Sequence, residues 1–343
     1  MTVVWRALRV ITFALAVMTA AAGADPPTVD PRLPAYVPPS TLSGNLTCAG
    51  GGTMQSLMQA WARRFEQLNP KAHIDVRSDS KLSAEGFRAF LEGRIDCVTF
   101  VREPFPSELK AFREKFGHAP LLVPVAGGSY ATRGGTHAIA IYVNAANPLT
   151  RLDLTQLDAI FSKTRRRGGA EIDRWRQLGL TGAWADRPIH LYGMLRRRST
   201  GDPPGIVNYV EQRVLLGGKF RDDLKEQVDR PGETALEAIV HRIAEDPDGI
   251  GYSGFGYAAP GVKSLALAEF ANGPYFTGNP TEVAHQDYPL SRSIYLMFDG
   301  SARSPIVDEL IRFVGSREGQ QIVANDPEGF LPLPATDVRT KNR

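Results

Sequence analysis

Between Asn45 and Phe100 the apolar residues switch repeatedly between a strand-like and a helical period, which confines the chain to few folds. Asn45–Cys48 is strand-like and runs into Gly50-Gly51-Gly52. Met54, Leu57, Met58, Trp61, Phe65 and Leu68 then recur at helical spacing, with Asn69-Pro70 as a stop. His73–Arg77 alternates as a strand, and Ser83 precedes a helix with Phe87, Phe90 and Leu91 on one face, ended by Gly93. Ile95–Phe100 is a further strand. Strand–helix–strand–helix–strand predicts a parallel sheet with right-handed crossover helices.

The pattern continues. His137–Asn144, Ile189–Tyr192, Ile250–Ser253 and Ser293–Phe298 read as strands. Leu154–Ser162, Gly205–Leu216, Thr234–Ala244, Pro305–Val314 and Gly319–Ala324 read as helices. No period of a solenoid recurs. Two α/β lobes are expected, each a mainly parallel sheet flanked by helices.

Met1 to Ala24 carries Arg6 and Arg9, an apolar run Val10–Val17, and Ala22-Gly23-Ala24. These are the parts of a secretory signal peptide, with cleavage expected near Ala24 and a periplasmic destination; an uncut anchor is the alternative. The apolar run falls short of the roughly 20 residues of a membrane span. Without Arg6 and Arg9, 38 basic residues face 37 acidic ones. A nearly neutral chain with no concentrated basic face is not built for nucleic acid. Residues 25–42, with Pro26, Pro27, Pro31, Pro34, Pro38 and Pro39, read as an extended tether. Cys48 and Cys97 both fall in strand-like runs; in an exported chain either a disulfide or two buried thiols is open.

Enzyme signatures are broken. Gly217-Gly218-Lys219 lacks the rest of a phosphate loop, and Gly251-Tyr252-Ser253-Gly254 ends on Phe255 where a nucleophile elbow needs glycine. The six histidines show no metal-ligand spacing, and no metal or cofactor is expected. What remains are strand-to-helix junctions rich in glycine and hydroxyls: Gly50-Gly51-Gly52-Thr53 and Ser83. Helix N-termini present unpaired N–H groups and a positive dipole end to anions, although Ser and Thr also cap helices with no ligand at all. Arg196-Arg197-Arg198-Ser199-Thr200-Gly201, before the helix at Gly205, suits a phosphate-like ligand or is a solvated basic loop.

In order and spacing, a set of segments resembles the periplasmic phosphate-binding proteins of Pst-type ABC transporters, within the type II periplasmic binding protein fold. They are Gly50-Gly51-Gly52-Thr53, Leu91-Glu92-Gly93-Arg94-Ile95-Asp96 with Arg102, Ala138–Asn144 with Asn147-Pro148, Ile160-Phe161 with Trp175, Gly249-Ile250-Gly251-Tyr252, Tyr288-Pro289-Leu290 and Glu318-Gly319-Gln320. The resemblance implies lobe 1 as 43–124 with 287–343 and lobe 2 as 125–286, closing on one ligand. It also implies a non-enzymatic, monomeric receptor for inorganic phosphate or a related oxyanion, serving a membrane ABC permease. Thr53 and Met54 would form the first ligand loop and Ser83 the second. The family's Ser-Gly-Thr helix start aligns with Pro204-Gly205-Ile206, so Arg196, Arg197, Arg198, Ser199 and Thr200 are candidate replacements beside Gly205. Its acceptor Asp is missing near Phe100-Val101-Arg102, so Arg102 is expected to favour a fully ionised anion. A Gly-rich insertion, Gly127–Thr136, lies near the first lobe crossing. The rivals are a binding-deficient or other-anion relative with a sensory or adhesion role, and an exported hydrolase using Ser253.

Overall fold

The computed structural model describes residues 28–301 and 303–335; the expected signal peptide lies outside the described residues. In chain order the first lobe supplies β1 (Ser43–Gly50), α1 (Gln55–Leu68), β2 (Lys71–Val76), α2 (Ser83–Leu91), β3 (Cys97–Phe100), α3 (Pro106–Phe116) and β4 (Leu121–Gly127). The second lobe contains β5 (Ile139–Asn144), β6 (Arg151–Asp153), α4 (Leu154–Phe161), β7 (His190–Met194), α5 (Gly205–Arg213), β8 (Lys225–Gln227), α6 (Ala235–Glu245), β9 (Gly249–Gly254), β10 (Val262–Ser264), β11 (Ala266–Ala268) and α7 (Pro280–Ala284). The chain then returns as β12 (Ser293–Phe298), α8 (Pro305–Val314) and α9 (Arg317–Ala324).

The first sheet has the order β2-β1-β3-β12-β4, and the second β10-β5-β9-β7-β8. β1 pairs in parallel with β2 and β3, as the alternating pattern predicts, while β12 inserts antiparallel between β3 and β4. In the second sheet β7 is parallel to β8 and β9, but β5 runs antiparallel to β9 and β10. Both sheets are therefore mixed. A returning strand that enters from the other lobe has no crossover helix to reverse it, so it arrives antiparallel.

Helix α1 shows why the pattern works. Leu57, Met58, Trp61 and Phe65 are fully buried on one face against the first sheet, and the Trp61 indole N–H donates to the Gly319 carbonyl (2.8 Å). Burying side chains of this size contributes about 1.5–3 kcal/mol each. Among the described residues no helix is long and apolar enough to cross a membrane.

Residues 28–42 are not a free tether. Leu33, Tyr36 and Leu42 are buried. The Tyr36 ring meets Phe313 edge-on (5.2 Å), and its hydroxyl donates to Glu309 (3.1 Å) and accepts from Asn69 (3.0 Å). The Arg317 N–H donates to the Pro34 carbonyl (2.9 Å). Proline removes ladder donors, but it does not stop the apolar residues between prolines from docking on a lobe.

Candidate functional site

The candidate site lies where the ends of β1 and β3 meet the start of α2 in the first lobe, with Arg102, just after β3, against the start of α5 in the second. Gly50 ends β1 with φ of 149°, and a side chain there would collide with Thr99 at 2.3 Å. A Cβ at the next residue, Gly51, would lie 2.6 Å from Val101 and 3.1 Å from Ser83 Oγ. Only glycines let these segments touch. The 3-10 turn Gly52–Met54 then leads into α1.

Thr53 is half-buried at this turn. Met54 is a weaker ligand candidate than its position suggests: its N–H closes the turn onto the Gly51 carbonyl (3.0 Å), and its side chain is fully buried in the lobe 1 core. Ser83 opens α2, buried, with its Oγ accepting the Val101 N–H (3.2 Å). The hydroxyl proton stays available for donation.

Arg102 follows β3. Its guanidinium forks onto Glu108 (2.8 and 2.6 Å), donates to the Glu103 carbonyl (3.0 Å) and stacks on Phe105 at 3.5 Å. Three of about five N–H groups are thus engaged, and two remain. Glu108, buried beside Arg102, carries its countercharge, a pairing that the sequence did not show. A Cβ on Gly205, the first residue of α5, would lie 3.4 Å from Arg102 Cδ and 3.9 Å from Arg292 Nη2. Arg102 therefore borders the α5 N-terminus.

Arg292 was not among the sequence candidates. It is buried, paired with Glu103 (2.6 Å) and placed over the Tyr209 ring (5.2 Å). One turn into α5, Asn208 donates across the lobes to the Glu103 carbonyl (3.3 Å), and the Tyr209 hydroxyl donates to the Ser291 carbonyl (2.6 Å). The lobes are closed on one another here. The Gly-rich crossing adds to this closure. The Thr136 hydroxyl donates to the Val101 carbonyl, while Arg133 reaches the Gly256 carbonyl (2.8 Å) and Glu237 (2.7 Å) of the second lobe. His137 donates from Nδ1 to the Gly135 carbonyl (2.9 Å); burial, with the positive charge of Arg292, pushes its pKa down to about 4.

The arginine run does not converge with these groups. Arg196 pairs with Glu226, Arg197 donates to Glu211 (2.9 Å), and Arg198, Ser199 and Thr200 are exposed in a turn closed by the Arg198 N–H on the Asp202 carbonyl (2.9 Å). Charge composition shows a cation but not the carboxylate that folds against it. Ser253 is no nucleophile: it is fully buried and donates to the Leu236 carbonyl (2.9 Å). His190, Asp246 and Asp248 lie close enough for a metal, but at the start of β7 rather than at the cleft, and Arg187 already pairs with Asp248 (2.7 Å).

Two mixed sheets flanked by helices, with the start of α5 bordering Arg102 of the first lobe, are the architecture of a two-lobed binding protein. Residues 37–318 match the model of the PBP superfamily domain. The chain is 34% identical over 334 residues to the phosphate-binding protein PstS of Pseudomonas aeruginosa, covering 96% of this chain and 95% of that one. It is 24% identical over 314 residues to PstS of Staphylococcus aureus, covering 88% and 82%. PstS from Borrelia burgdorferi shares the fold at a TM-score of 0.52 and 16% identity, over 85% of this chain and 99% of that one. An ABC-type phosphate transport receptor from Vibrio cholerae does so at 0.50 and 17%, over 84% and 100%. The chain belongs to the PBP superfamily and, within it, to the PstS family of binding proteins, which are not enzymes.

Proposed function

We propose that this protein is an exported receptor that captures inorganic phosphate between its lobes and delivers it to a membrane ABC importer. The observation that carries the reading is the approach of the α5 start, at Gly205, to Arg102, whose neighbour Val101 touches both the α1 entry at Gly51 and the α2 start at Ser83. An oxyanion held there takes backbone N–H groups from both lobes, the hydroxyls of Thr53 and Ser83, and the remaining donors of Arg102. Charge-assisted bonds of this kind contribute about 1.5–3 kcal/mol each. Glu108 and Glu103 already balance Arg102 and Arg292, so the ligand's charge is met mainly by oriented N–H dipoles. The name of the Pseudomonas aeruginosa relative supports phosphate as the anion. The leader-like Met1–Ala24 supports export to the periplasm, and the receptor acts there as a monomer.

A second reading has its own observation. Pro204, at the α5 N-cap, brings neither an N–H nor a side-chain cap, and Arg196 and Arg197 are spent on Glu226 and Glu211. A binding-deficient or other-anion relative would look like this. Calorimetric titration of refolded, ligand-stripped residues 25–343 with phosphate and with sulfate separates the two. Saturable one-to-one phosphate binding supports the receptor; absence of heat with phosphate from folded protein overturns it.

A further inference from the structure

Cys48 and Cys97 stand directly opposite each other on the parallel pair β1 and β3. Residues in register on neighbouring strands point to the same face, and the packing agrees. Both cysteines sit in the core cluster with Trp61 and Phe313, whereas their followers Ala49 and Val98 turn to the opposite cluster with Phe87 and Phe112. Neither cysteine is exposed. Neighbouring strands are about 4.8 Å apart, inside the window of about 4.4–6.8 Å between Cα atoms that a disulfide accepts.

We propose that Cys48 and Cys97 are a disulfide-forming pair, oxidised while the exported chain folds. The bond would staple together the two strands whose ends carry Gly51–Thr53 and Arg102. This rests on export, the reading given above, because a reducing cytosol would keep the pair as thiols. The step is a thiol–disulfide exchange with a disulfide of the oxidising compartment, either a protein dithiol oxidase or oxidised glutathione. One cysteine, as thiolate, attacks a donor sulfur and releases the other as a thiolate, leaving a mixed disulfide. The second cysteine attacks the protein-bound sulfur of that bond and releases the second donor thiolate. The two cysteine protons end on the two released thiolates, the donor gains two electrons, and the pair loses two.

Timing follows from packing. In the folded chain, burial and the adjacent Cys48 sulfur hold the Cys97 thiol well above its ordinary pKa, and no donor can reach it. Exchange therefore belongs to the folding chain, and a protein folded under reduction stays reduced.

The test is alkylation with iodoacetamide in denaturant followed by intact-mass measurement, on the full chain expressed with its own leader and recovered from the periplasmic fraction. The expected result is no adduct without reductant and two adducts after reduction. Two adducts without reductant, in protein recovered from that fraction, overturn the proposal. If no protein reaches that fraction, the export reading fails, and a second arm decides the pair. Residues 25–343 are unfolded, reduced and refolded with oxidised glutathione; absence of adducts supports the disulfide and two adducts refute it.

Discussion

Arg102 of the first lobe and Gly205 of the second are van der Waals neighbours: a methyl on Gly205 would meet Arg102 Cδ at 3.4 Å. That contact is ordinary in length, so Gly205→Ala is expected to bind phosphate nearly as the parent does. A bulky residue has no such room and must push against Arg102 and Arg292. Gly205→Phe should weaken phosphate binding at least tenfold, about 1.4 kcal/mol, and should also melt below Gly205→Ala, since overpacking costs about 1–3 kcal/mol. Calorimetry and a thermal melt read the two effects separately, and unchanged affinity in Gly205→Phe would place the ligand elsewhere.

Arg102 and Glu108 form a buried fork, so removing one partner exposes two different costs. Arg102→Ala leaves Glu108 charged and unpaired, and should lower stability by about 3–5 kcal/mol. Adding Glu108→Gln removes that stranded charge and should recover part of the loss in urea denaturation. Phosphate affinity should stay at least tenfold down in the double variant, since the donors do not return. Arg197→Ala, outside the cluster, should change affinity less than about twofold, because Arg197 is engaged by Glu211 and meets none of the groups placed around the ligand. A tenfold loss in Arg197→Ala would return the arginine run to the site.

Tyr36 ties the N-terminal segment to the first lobe through Phe313, Phe65, Glu309 and Asn69. Tyr36→Ala should cost about 3–5 kcal/mol in urea denaturation, as other buried aromatic truncations do. Tyr36→Phe keeps the ring and should cost only about 1 kcal/mol for the hydroxyl bonds. A segment acting as a loose tether would show neither loss.

Legibility in the sequence followed burial. Helix α1 was readable because its buried face repeats at 57, 58, 61 and 65, and α8 because Ile306, Val307, Leu310, Ile311 and Val314 do the same. Helix α3 was not readable: it buries only Glu108 and Phe112, so its charged surface hides the period. Three-residue strands such as β8 and β10 are too short to show alternation. At the site, Ser83 was visible as a hydroxyl at a strand-to-helix junction. Arg292 and Asn208 were not, since their partners Glu103 and the Glu103 carbonyl lie far away in sequence. The same blindness to distant partners made Arg196 and Arg197 look free, when Glu226 and Glu211 neutralise them.

His137 gives the fold a pH dependence whose sign can be worked out. In the unfolded chain its imidazole titrates near the ordinary 6.5, whereas burial, with Arg292 nearby, holds it at about 4 in the folded protein. Between these values the unfolded state binds more protons, so stability rises with pH there. The contribution of His137 is fully present above about pH 6.5 and is lost as pH falls toward about 4, up to roughly 3 kcal/mol over the window. Carboxylates titrate in the same range, so the total slope does not isolate the histidine. His137→Asn does: its amide can still donate to the Gly135 carbonyl but does not titrate. Urea denaturation of parent and variant at about pH 7 and about pH 4.5 should show the parent losing roughly 2 kcal/mol more than the variant. Parallel losses would mean that the imidazole is not held neutral in the folded state, and that charge on His137 is tolerated beside Arg292.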